Sequence, residues 1–592
     1  MALVIQILWA TQGPIALQEG ELIDTDSYMR LNRVLYLVES GNWFDSTYPR
    51  SNAPYGEVPH WTRAVDSLLI VGAIVVSPFM SFSAALHWWG VLVSPFFQVI
   101  TLVGLMWLGR SILNREQLLI VGGIFILQPG VIGYYLVGRV DHHGILLCCL
   151  ILLLGCTVRM SQIPCERKTC IAAGVIAAIG VWVSIEFMIG VFVSMTFLAC
   201  CWVIHGGDRG KGIMVMAVSL WIVASVVFVI ERGVGNVGLA EYDRFSVVHW
   251  TLFTIHACVW LGMWSIKNWK PIHAALCGRL LLGALCSLVI FCLMAVLFPK
   301  FFQGPLVDVD PLAKTLQWDR VTETQPLIAV DPWQFGRFLF MLGIALPGIP
   351  YLLRLLWKER DSQSRSFWFM IMLGVLVYLP LAVKEMRWVP YAELLFVFPY
   401  AHLIHHLVSR VGPHLRASLQ GLVKAAIVMV GVFGFVVGGA TLMAHEGSGV
   451  GSTTAADCPI KPLSDYLSEP TRWGDRVRTI MAFVDFGPEL LYRTPHRVIA
   501  TPYHRNTVGV VDTYNTMTDT SGELSQHLIT ARQVNLILIC PSSPAEPGYY
   551  AVSDPNPTFY EKLLDGTHPD WLRQIRLPSE PLQKFRLFEV IP

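Results

Sequence analysis

The stretch Gly138–Thr157 reads GRVDHHGILLCCLILLLGCT. It changes character in one step: Arg139, Asp141, His142 and His143 precede Gly144, and from there to Thr157 no residue is charged. A hydrocarbon layer asks for roughly 20 mostly apolar residues per helix, so the run reads as a helix entering a membrane with an ionisable cluster at its mouth. The rest of the chain repeats the pattern. Over 592 residues, 54% are hydrophobic and 14% charged, against about 25% charged in soluble domains. Such a chain is a polytopic membrane protein. Lys+Arg 43 against Asp+Glu 42 leave a net charge of +1, which gives no electrostatic footprint for nucleic acid.

Fourteen apolar runs follow one another, from Ala2–Leu17, Ser67–Met80, Ala84–Gly109 and Gln117–Val137 to Phe335–Trp357, Phe367–Val383, Val389–Leu407 and Val423–Leu442. The first is interrupted by Gln6, Gln12 and Pro14, so a longer first helix begun upstream is the expectation; a signal peptide would need a basic leading region. Lys and Arg mark cytoplasmic loops. Arg110 and Arg115, Arg159 to Lys168, Arg209 and Lys211, Lys267 and Lys270, Lys358 to Arg365, and Arg410 and Arg416 alternate accordingly. Parity then requires Ser67–Met80 to be interfacial or re-entrant, leaving about thirteen spans. The outward set comprises loops 18–66, 138–143 and 299–334, the turn at Lys384–Trp388, and everything after residue 443.

That last part, residues 444–592, is rich in Pro, Asp, Thr and Ser, with strand-like runs at His496–Ala500 and Asn535–Cys540. It reads as a soluble mixed α/β domain on the outer face. Eleven of the thirteen cysteines lie in or beside apolar runs and behave as small hydrophobes. Cys458 and Cys540 fall in the polar part, where a bridge between them would fit an oxidising compartment.

Four ionisable clusters land on the outer face in this topology: Asp24 to Arg30, Gly138 to Gly144, Val321 to Pro326, and Lys384 to Arg387. Carboxylates at a membrane face are costly unless solvated, paired or bound to a cation. Asp26, Asp141 and Glu323 offer hard oxygens that suit Mg²⁺ or Mn²⁺ rather than zinc, and a ligand from the His142–His143 pair would favour Mn²⁺. On spacing alone, each acid also reads as a solvated loop residue, the histidines as supporting groups and Arg387 as an interfacial anchor.

Taken in order, these segments resemble a known family. Asp26-Ser-Tyr28, followed by Gly41-Asn-Trp43-Phe44-Asp45 and Tyr48-Pro49, is similar to the first outer loop of the catalytic subunit of oligosaccharyltransferase, a GT-C fold glycosyltransferase. Asp141-His-His143-Gly144-Ile145 resembles its second acidic motif, and Val321-Thr-Glu323-Thr-Gln-Pro326 its Ser-Val-Ser-Glu-His-Gln-Pro loop. Phe483-Val484-Asp485-Phe486-Gly487 sits where that family has Trp-Trp-Asp-Tyr-Gly, and His496-Arg-Val498 with Asn506-Thr507 echo the segment that follows.

The resemblance implies a GT-C membrane domain over 1–443 and a single-subunit enzyme of the bacterial inner (plasma) membrane with its site on the periplasmic side. It would move a glycan, with inversion, from a polyprenyl-(pyro)phosphate lipid to a protein asparagine. Asp26, Asp141 and Glu323 would hold the metal, with Asp26 and Glu323 also touching the acceptor amide. Arg387 would grip the donor phosphate. The departures are as informative. His143 replaces an acid, and would either supply a nitrogen ligand or weaken the metal site. Phe483 and Val484 replace the paired tryptophans that pack against the acceptor, while Asp485 is kept. The lost tryptophans leave room for a lipid or polysaccharide acceptor. A transporter of lipid-linked sugars would instead show midplane charges and internal repeats.

Overall fold

The computed structural model describes Gln6 and residues 20–162, 165–207, 209–268, 275–327, 330–411, 416–446, 458–578 and 580–591. Eight helices among the described residues are long and apolar enough to cross a membrane, and the pair Pro332–Leu342 and Ala345–Lys358, bent by 49°, makes a ninth if counted as one. The four remaining predicted spans differ for identifiable reasons. Of Ala2–Leu17 only Gln6 is among the described residues. The run Gln117–Val137 is not one helix: Arg115–Phe125 stops, Gln128 is extended, and Pro129 starts a separate short turn, Pro129–Gly133, since a residue before proline is pushed out of helical backbone and proline suits a first helical position. Arg167–Val183 is 17 residues long. Val389–Ser409 carries Glu393, His402, His405 and His406, which lower its hydropathy.

The helix Arg63–Val76 has 14 residues, about 21 Å at 1.5 Å per residue, short of a hydrocarbon core of about 30 Å. It turns at Ser77–Phe79 and folds back on Phe82–Gly109, where the Trp89 ring lies against Gly72 so closely that a Cβ there would be 2.1 Å from it. Leu280, Leu281, Leu285 and Leu288 on Leu276–Leu297 are exposed, as lipid-facing side chains must be.

The C-terminal part is a five-stranded sheet of order β2-β1-β3-β5-β4. β1 (Thr479–Met481) pairs in parallel with β2 (Arg497–Val498) and β3 (Leu536–Ile539). β5 (Arg586–Val590) runs antiparallel to β3 and to β4 (Leu572–Ile575). β2 and β3 fall inside the two runs that the sequence marks as strand-like. A disulfide joins Cys458 and Cys540, 82 residues apart.

Two helical segments and the sheet meet through the loop between Thr25–Ser40 and Arg63–Val76. In it, Glu57 is fully buried and accepts hydrogen bonds from Ser51 Oγ (2.5 Å) and Thr501 Oγ1 (2.7 Å). Burial pushes its carboxyl up to about 7, the two hydroxyls opposing. The folded form therefore keeps a proton that the unfolded chain has released, so stability is full below pH 4.5 and falls as pH rises through 7. The loss should approach roughly 3 kcal/mol. Thermal unfolding at pH 5 and pH 8 checks this: Glu57→Gln should flatten the difference, and an unchanged slope would exclude the assignment.

Candidate functional site

The site is assembled by a few local devices. Asp24 caps Thr25–Ser40, accepting from Ser27 N at 2.8 Å, a favourable arrangement for a carboxylate at a helix N-terminus. Ser27 Oγ in turn accepts from Val140 N (2.8 Å), and Ile23 N donates to Gly138 O (3.1 Å). The start of that helix is thus fastened to the 138–141 loop, and Asp26 comes beside Asp141. Gly138 has φ +87° and donates to Val91 O at 2.9 Å; a side chain there would be strained. On the opposite wall, Met386 N donates to Gln325 O (3.0 Å) and Leu327 N to Val383 O (2.9 Å). These two bonds bring the Glu323 loop to Arg387.

All of these segments line one cavity of about 1240 Å³, along with the 483–485 turn after β1. Arg139 sits at the focus of three carboxylates. Its Nε is 3.3 Å from Asp24 Oδ2 and 3.5 Å from Asp141 Oδ2, its Nη2 is 4.0 Å from Glu323 Oε2, and it stacks on Tyr134 at 4.8 Å. Tyr134 stacks on His143 at 4.4 Å. Asp141 is buried, accepts from His142 N (2.6 Å), and has its Oδ1 2.7 Å from His142 Nδ1 and 3.8 Å from Arg30 Nη2. Asp26 is half-buried and makes no ion pair with any described residue.

The carboxyls are driven apart electrostatically. Burial, then Asp24 and Asp141, push Asp26 well above the usual carboxylate range. Burial works in the same direction on Asp141, but His142, His143 and Arg139 outweigh it and hold Asp141 well below that range. Burial, reinforced by Asp141 and opposed by Arg139, raises Glu323 to about 6. Asp485 opens onto the cavity while dense protein surrounds it, and that burial raises it to about 6. Crowded carboxylates of this kind are relieved by a cation.

Three donors lie close enough to share one metal ion. His143 Nδ1 is buried without a hydrogen-bond partner among the described residues, and donor atoms of Asp141, His142 and His143 lie within 4.8 Å of one another. Asp26 and Glu323 line the same cavity outside that tight group.

Arg387 is pinned: its Nη1 lies 2.6 Å from Glu186 Oε1 and its Nε 2.8 Å from Glu385 Oε2, between Trp318 at 4.6 Å and Trp388 at 5.2 Å. Phe483 and Val484 are buried, Phe483 packing on Tyr549 at 5.3 Å, and Asp485 is the exposed member of the trio.

Sequence reasoning missed Glu186 as a site residue. It sits on the turn Ile185–Phe187, allowed by close packing of Phe187 over Gly180, and a lone acid at the mouth of an apolar run was the available signal. The polar segment Pro502–Asn506 is not a free surface. His504 Nε2 lies 2.8 Å from Asp243 Oδ2, Arg505 Nε donates to the same oxygen at 2.6 Å, and Tyr503 and Asn506 are buried.

No protein-family model and no curated protein matches this chain. Solved structures do. The archaeal oligosaccharyltransferase AglB from Archaeoglobus fulgidus, in complex with an inhibitory peptide and a dolichol-phosphate, superposes with a TM-score of 0.73 at 14% identity, over 98% of this chain and 80% of that one. The Archaeoglobus fulgidus oligosaccharyltransferase tethered with an acceptor peptide containing the NVT sequon gives 0.67 at 13% identity, over 91% and 68%. The same enzyme in complex with Zn and sulfate gives 0.62 at 14%, over 91% and 68%. At these identities the likeness is one of fold: this chain has the GT-C fold.

Proposed function

We propose that the chain is a metal-dependent, inverting glycosyltransferase that moves a glycan from a polyprenyl-(pyro)phosphate lipid to protein asparagine. The observation that carries this reading is the convergence of Asp26, His143, Glu323 and Arg387, from four distant segments, on one large cavity, with Asp141 buried against its lining residues His142 and Arg139. The fold shared with oligosaccharyltransferases supports it. Mg²⁺ or Mn²⁺, held by Asp26, Asp141, Glu323 and His143, would neutralise the charge that grows on the leaving phosphate. Asp26 and Glu323 orient the acceptor amide. Arg387, already stacked and held, grips a phosphate oxygen pair through its fork. Asp485 accepts a hydrogen bond from the acceptor, with Phe483 and Val484 shaping the wall behind it.

In this reading residues 1–443 form the membrane domain and 444–592 an outer domain in a bacterial inner membrane, on the periplasmic side, where the Cys458–Cys540 bridge persists. The enzyme acts as a single subunit. A second acceptor class, a lipid or polysaccharide hydroxyl, is favoured by one observation: Phe483 and Val484 are buried, so of the three only Asp485 is exposed to an acceptor. Mass spectrometry of envelope proteins from cells with and without the gene separates the two. Asn-linked glycan should appear only with it; no difference would move the assignment to the other acceptor.

A further inference from the structure

We propose that Glu186 is itself a ligand of the divalent cation, paired with His143, and that it ties the cation to Arg387; this rests on the metal-dependent reading above. His143 Nδ1 and Glu186 Oε2 face each other at 3.9 Å. Both atoms are buried, and neither has a hydrogen-bond partner among the described residues. The separation is too long for a hydrogen bond between them. Two ligand atoms that each sit about 2.0–2.2 Å from a small divalent ion can be as far apart as the observed gap. One ion between them would therefore satisfy both orphaned atoms at once, and through His143 it would adjoin the tight donor group of Asp141, His142 and His143, which Glu186 itself lies outside.

The other Glu186 oxygen is already engaged. Oε1 lies 2.6 Å from Arg387 Nη1, so the carboxylate bridges the guanidinium and the ion. The consequence is a mechanical link: the arginine and the cation are set at a fixed spacing by one side chain. The side chains of His143 and Glu186 are 6% and 18% exposed, and the two orphaned atoms are themselves shielded from the cavity they border.

The test uses the detergent-solubilised full chain and Mn²⁺ alone, with free Mn²⁺ read by electron paramagnetic resonance and ¹⁴N coupling by spin-echo modulation. The wild type should bind one Mn²⁺ with a nitrogen modulation that His143→Gln removes. Glu186→Gln should weaken binding about tenfold or more. Glu186→Asp, which keeps the charge beside Arg387 but shortens its reach, should weaken it with little change in the unfolding midpoint. The double variant His143→Glu with Glu186→Gln should regain affinity, since a carboxylate returns to the same gap. Wild-type affinity in Glu186→Gln, with binding abolished in Asp141→Asn, would overturn the role of Glu186 and leave the metal-dependent reading standing. A wild type that binds no Mn²⁺ would overturn both.

Discussion

Replacing Asp26 by alanine is expected to lower glycan transfer from a lipid-linked donor about 1000-fold or more while leaving the unfolding midpoint nearly unchanged. The size of the effect follows from losing a carboxylate that would hold the cation set against the charge growing on the leaving phosphate, where one preorganised electrostatic partner is worth about 10²–10³ in rate and the altered metal site adds to it. The selectivity of the effect follows from the fold. Asp24, not Asp26, caps the helix and pairs with Arg139, and Asp26 is half-buried with no ion pair to a described residue. Its removal also relieves the repulsion from Asp24 and Asp141 that drives its own carboxyl upward. Asp141 would be a poorer probe, because Arg30, Arg139 and His142 all lean on its charge. Transfer at the full rate by Asp26→Ala would remove Asp26 from the site.

Arg387→Lys should raise the KM for the lipid-linked donor roughly 10–100-fold, more than it lowers kcat. Lysine keeps the charge, but a compact ammonium cannot present two parallel donors or stack as a planar guanidinium does. Here the plane is fixed by Trp318 and Trp388 on the sides and by Glu186 and Glu385 at the nitrogens. Steady-state kinetics with varied donor decides the point. Equal loss in kcat and kcat/KM would mean that Arg387 acts only in the transition state, and no loss would mean that it does not meet the donor.

Much of this was legible from residues alone, for a physical reason. In a charge-poor chain the few ionisable islands stand out, and apolar runs of membrane length have one stable conformation, so the helices around Asp141 and Arg387 could be located without coordinates. The two runs that form β2 and β3 read as strand-like, short segments in the polar C-terminal part. What stayed hidden depended on pairing across distance. Asp243 and His504 are 261 residues apart, and nothing in either neighbourhood specifies the other. Glu186 is unmarked in the sequence because its partners, Arg387 and His143, come from other segments. The break before Pro129 is invisible to hydropathy because apolar residues flank it on both sides, and hydropathy does not register where a helix loses its hydrogen bonds.

The walls of the cavity come from both ends of the chain, Asp26 near the beginning and Asp485 and Tyr549 near the end. A ribosome delivers them in that order, separated by every intervening crossing of the bilayer. A half-made polypeptide therefore carries Asp26 without the wall that Asp485 and Tyr549 supply. The cavity is therefore closed only when the last-made segment folds against the first.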